Sequence, residues 1–87
     1  MSWQTASARQ ARIRRVLKEH ARLSRDVMQL LDDDDLYEVG MTSHASVNVM
    51  LALEGEFDIE FPDRMLNRSV FSRIGAIEAA IEGLAGD

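Results

Sequence analysis

Asp35-Leu36-Tyr37-Glu38-Val39-Gly40-Met41-Thr42-Ser43-His44 closes a loop and opens a helix. Four aspartates, Asp32 to Asp35, crowd its leading edge. Like charges in a row repel one another, so the spacing predicts a loop there. Leu36, Tyr37 and Val39 anchor that loop before Gly40 breaks it. From about Thr42 to Gly55 the pattern becomes helical. Val47, Met50, Leu51, Leu53 and Phe57 make that helix apolar around most of its circumference, which predicts a position at the centre of a bundle. Val47, Met50, Leu53 and Phe57 are expected in the core.

Reading outward, Ile13, Val16, Leu17 and His20 recur at helical spacing with arginines between them, predicting a first helix over about 4–20. Toward the C-terminus, Ile59 and Phe61 alternate with acids up to Pro62, which suits the first turn of a short third helix over 62–66 holding Met65 and Leu66. Asn67 to Phe71 read as a connector. Ser72 is expected to cap a last helix over 72–84, where Ile74, Ile77, Ile81 and Leu84 follow at spacings of three and four. The fold expected is all-α: a compact four-helix bundle with helices over 4–20, 42–55, 62–66 and 72–84, and a long, ordered first loop.

Composition narrows the function. The 87 residues suit one small domain. Cysteine is absent, which excludes disulfides, thiolate catalysis and zinc–cysteine sites. Two histidines 24 positions apart make no metal cage, and the aspartate run lacks the alternating ligands, glycine and terminal glutamate of a calcium loop. Aromatics at 6% are too few for a nucleic-acid stacking platform, and no apolar run approaches the roughly 20 residues of a membrane span. Net charge is −5, unevenly spread: residues 1–31 hold seven cations against two acids, and residues 32–87 three arginines against thirteen acids. The bland reading of the basic stretch is the solvated outer face of an ordinary helix.

Catalysis by the chain itself has little support. Ser43 and His44 are neighbours, and helical neighbours point about 100° apart, too far for a nucleophile–base pair. No catalytic residue and no metal ligand is assigned. What the segment offers is a helix start bearing two hydroxyls where one cap suffices. With Thr42 as the cap, Ser43 sits on the first turn with its hydroxyl free. A phosphate ester there is favoured by the helix dipole and by unpaired backbone N–H groups.

The stretch from Asp35 to Ile81 resembles an acyl carrier protein in one uninterrupted register. The resemblance runs through Asp35 to Gly40, Val47, Met50-Leu51-Ala52-Leu53-Glu54, Glu56-Phe57-Asp58-Ile59-Glu60-Phe61-Pro62-Asp63 and the isoleucine-rich last helix. It implies a single carrier domain over 1–87, with Ser43 accepting 4′-phosphopantetheine from a phosphopantetheinyl transferase. The thiol of that arm would hold cargo as a thioester, which accounts for a thioester carrier without cysteine. The family usually has Asp-Ser-Leu where this chain has Thr42-Ser43-His44. Ala45 and Asn48 stand where the outer face of the recognition helix is commonly acidic. Partner recognition is therefore expected at His44, Ala45, Asn48 and Met65, with a specificity unlike that of the housekeeping fatty-acid carrier. The chain is more similar to stand-alone specialised carriers, including those charged with amino acids by synthetase-like ligases, which the tract around Phe57 to Asn67 resembles. That implies a dedicated acyl- or aminoacyl-[carrier protein] ligase and a downstream transferase as partners, no nucleic acid, a monomer, and a cytoplasmic setting. A second reading from a different class is a helical interaction domain that docks an acidic partner through its arginine-rich first helix.

Overall fold

The computed structural model describes residues 2–85, with side chains from residue 8 onward. Helix α1 spans Ser2–His20, α2 Ser43–Phe57, α3 Arg68–Phe71 and α4 Ile74–Leu84, with 3-10 turns at Val27–Gln29 and Asp63–Met65. The described residues are helices and loops arranged as a four-helix bundle, in which α1 packs against α2 and α4, and α3 against α4.

Each long helix buries one stripe. Ile13, Val16, Leu17 and the following Ala21 face inward from α1, Ala45, Val49 and Leu53 from α2, and Ile74, Ile77 and Ile81 from α4. Val27, Leu30, Leu36 and Met41 of the first loop complete this core, as do Phe61 and Phe71, whose rings meet edge-on with centroids 5.2 Å apart.

The first loop is ordered because its polar groups find partners. Arg14 reaches out of α1 to donate to the carbonyls of Val27 and Leu30 at 2.6 and 2.8 Å and to pair with Asp32 at 3.2 Å. Asp34 accepts from the Leu31 N–H and Asp35 from the Tyr37 N–H, so two of the four aspartates close turns. The Leu36 N–H donates to Ser72 O at 2.7 Å and the Gly75 N–H to Asp32 O at 3.1 Å, fastening the loop to the α3–α4 region. Three of the four aspartates, Asp32, Asp34 and Asp35, are thus held by partners.

Three expectations need correction. The third helix is displaced: residues 63–65 form only a 3-10 turn, and the α-helical turn lies at Arg68–Phe71, in the expected connector. Asn67 is the reason, since its Oδ1 accepts the Val70 N–H at 3.1 Å and starts the turn there. Ser72 does not cap the last helix. Its hydroxyl donates back to Ser69 O, and α4 begins after Arg73, which makes no side-chain cap bond. Finally, α2 is not enclosed on all sides: it buries the Ala45-Val49-Leu53 stripe, flanked by the partly buried Met50, Ala52 and Phe57, and leaves Val47 and Leu51 50% and 56% exposed.

Candidate functional site

Thr42 has extended backbone angles, and its Oγ1 accepts the Ala45 N–H at 3.0 Å, making it the N-cap of α2. Ser43 is the first residue inside the helix, and its side chain is exposed. The N–H groups of Ser43 and His44 belong to the first turn, where the helix offers no acceptor. The nearby Ser46 is different. Its hydroxyl donates to Ser43 O at 2.7 Å, so it is turned back onto the helix backbone.

The approach to Ser43 is held by a crossing of two chain segments. Ser24 donates twice to Val39 O, from its backbone N–H at 2.8 Å and its hydroxyl at 2.9 Å. Gly40 follows at φ 116°, and a Cβ there would stand 3.3 Å from Ser24 N. A side chain would be both strained and crowded at this point. Met41, buried at 2% exposure, then sets the level at which α2 begins.

Ser43 and Ser46 open onto a cavity of about 320 Å³. Tyr37, Val47, Met50 and Phe71 give it an apolar wall, and Leu66, Asn67 and Arg68 contribute from the start of the α3 region. The guanidinium of Arg68 stacks on the Tyr37 ring, 4.1 Å from its centroid. Reading the sequence missed Ser46, Asn67 and Arg68 as neighbours of Ser43; only the Asn67 cap left a local sign. Among the expected recognition residues, His44 and Asn48 are exposed and lie on one stripe of α2 with Val47 and Leu51. Met65 is half-buried. Ala45 is not on the outer face: at 7% exposure it shares the inward stripe with Val49 and Leu53.

Residues 11–81 match the family described as the phosphopantetheine attachment site. The chain belongs to the phosphopantetheine-attachment family. Like other members of that family it is a carrier and not an enzyme. The chain is 46% identical, over 83% of its length and 87% of the relative's, to an aminoacyl carrier protein of Agrobacterium fabrum. Among solved structures it is similar to the carrier protein from Agrobacterium tumefaciens in a crystal structure with an engineered Bradyrhizobium japonicum glycine:[carrier protein] ligase and ATP. That likeness has a TM-score of 0.82 at 44% identity, covering 85% of this chain and 96% of the other. A solution structure of an Agrobacterium tumefaciens protein matches with a TM-score of 0.67 at 45% identity, over 84% and 88% of the two chains.

The group for which the family is named, 4′-phosphopantetheine, fits the residues present. An exposed primary hydroxyl stands at the positive end of α2, beside two first-turn N–H groups and a cavity with a largely apolar wall. The arm's terminal thiol supplies the thioester chemistry that a cysteine-free chain lacks.

The arginine-rich helix does not favour the docking alternative, because its four described arginines are engaged within the molecule. Arg12 pairs with Glu56 at 2.8 Å, Arg15 approaches the same carboxylate at 3.6 Å, and Arg9 pairs with Glu82 at 3.3 Å. Arg14 holds the first loop. No described helix is long and apolar enough to cross a membrane, and the described residues contain no metal-binding cluster.

Proposed function

We propose that Ser43 carries the 4′-phosphopantetheine arm through a phosphodiester, and that the protein presents an aminoacyl group held on that arm as a thioester. One observation carries the reading of the site: Ser43 is exposed at the first position of α2 and opens onto the cavity, whereas the Ser46 hydroxyl is bonded to the helix backbone. The cargo follows from the likeness to an aminoacyl carrier protein and to a carrier crystallised with a glycine:[carrier protein] ligase. A phosphopantetheinyl transferase attaches the arm, a dedicated ligase loads it, and a downstream transferase takes the cargo. His44, Asn48 and the flanking Val47 and Leu51 form the partner-facing stripe, with Met65 as a further contact and Ala45 no longer part of it.

The test is intact mass after incubation with coenzyme A and a phosphopantetheinyl transferase, followed by a glycine ligase with ATP. Wild type and Ser46→Ala should each gain one arm and then one aminoacyl group, and Ser43→Ala should gain neither. An arm on Ser43→Ala refutes the site. Efficient loading by fatty-acid enzymes, with none by the amino acid ligase, refutes the cargo.

A further inference from the structure

Arg68 differs from the arginines of α1. Those at positions 9, 12, 14 and 15 all pair with carboxylates, whereas Arg68 forms no ion pair among the described residues. Its guanidinium carbon lies over the Tyr37 ring, 4.1 Å from the centroid. Stacking uses the flat face of the group and leaves its N–H donors free in the plane, the geometry that grips two oxygens of a phosphate at once. Arg68 is also the one formally charged residue among those lining the cavity onto which Ser43 opens. In a protein of net charge −5, an anion placed on Ser43 meets a cation at this rim.

We infer that Arg68, held flat by Tyr37, is the positioning residue that binds the phosphodiester of the arm on Ser43. This rests on the reading that Ser43 carries the arm. A phosphodiester keeps a full negative charge at neutral pH, so the contact persists through loading and unloading of the distal thiol. Its effect is to fix the root of the arm against the cavity wall and so to set the direction in which the arm leaves the protein. Tyr37 acts through Arg68: the stack restrains a long side chain that otherwise samples many rotamers, so less freedom is lost when the phosphate is bound.

The test compares apo and phosphopantetheinylated protein by NMR, after intact mass has established the arm on Ser43. The side-chain Nε–H resonance of Arg68 should shift when the arm is added and return toward its apo position at high salt. The 31P line of the attached arm should narrow in Arg68→Gln, because its root moves more freely. Arg68→Lys should restore part of the broadening, since it returns the charge without the planar fork. Tyr37→Leu, which keeps the charge and removes the stack, should fall between wild type and Arg68→Gln. A merely structural Arg68 would lower the melting temperature of apo protein and leave the 31P line unchanged. An attached arm with an unmoved Arg68 resonance, and the same 31P line in Arg68→Gln, overturns this inference and leaves the carrier reading standing. Absence of any arm on Ser43 overturns both.

Discussion

The guanidinium of Arg12 stands 4.4 Å from the centroid of the Phe57 ring. From the same position its Nε donates to the Glu56 carboxylate at 2.8 Å and its Nη2 to the Glu56 carbonyl at 2.6 Å. One side chain of α1 thus roofs the last turn of α2 and bonds to its end. Phe57 is half-buried beneath a cation and is not sealed in the core as its place in the apolar run suggests.

That position sets the cost of truncation. Phe57→Ala should destabilise by about 2 kcal/mol, below the about 3–5 kcal/mol of a fully enclosed phenylalanine. A double-mutant cycle with Arg12→Ala in denaturant should show coupling of about 0.5–1 kcal/mol, as expected for a cation on an exposed ring. Independent effects would show that the stacking adds nothing.

Glu56 makes the α1–α2 contact sensitive to acid. The hydrogen bond from Arg12 holds its carboxyl below the ordinary value of 4.5, with the charges of Arg12 and Arg15 acting in the same direction and burial opposing them. A carboxyl with a lowered folded-state pKa contributes stability that is complete above the unfolded value and is lost as pH falls through the folded one. Melting temperature should therefore drop below pH 4.5 more steeply in wild type than in Glu56→Gln. Parallel profiles for the two proteins would exclude Glu56 as a source of the acid sensitivity.

Gly40→Ala should cost roughly 1–3 kcal/mol, because the residue holds φ 116° and a Cβ would press on Ser24 N at 3.3 Å. Amide exchange should show the loss first at Ser24, whose N–H is bonded to Val39 O. Uniform loss across the helices would place the strain elsewhere.

Ala45 and Asn48 should respond to acidic substitution in opposite ways. Ala45→Asp places an unpaired charge in the core stripe and should cost about 3–5 kcal/mol. Asn48→Glu lies in solvent and should change stability by less than about 0.5 kcal/mol. Thermal melts of the two variants separate these outcomes, and equal melting temperatures would refute the assignment of faces on α2.

The three long helices could be read from the sequence because each repeats its apolar residues often enough to define a face. Ile13, Val16 and Leu17 do so in α1, and Ile74, Ile77 and Ile81 in α4. Helix α3 has four residues, too few for a period, and only Asn67 announces it. Within α2 the apolar run could not show that Val47 and Leu51 face outward, because hydrophobicity alone does not say which stripe meets the bundle. Ser43 stood out because capping is local chemistry. Arg68 did not, since its place on Tyr37 joins residues 31 positions apart through the fold.

The engagements of the α1 arginines also bear on how the chain folds as it is made. Their acceptors lie 13 to 73 positions further along, from Val27 O to the Glu82 carboxylate. Within α1, Arg12 and Arg15 are three residues apart and Arg14 and Lys18 four, so at both spacings like charges face each other on one side of the helix. This segment is made before the elements that supply these acceptors, with most of its cations unneutralised and its apolar stripe unmatched. Helix α1 is therefore fully stabilised only when α4 becomes available. Folding should be cooperative over the whole chain, and truncated nascent chains ending before α4 should keep α1 unprotected from proteases.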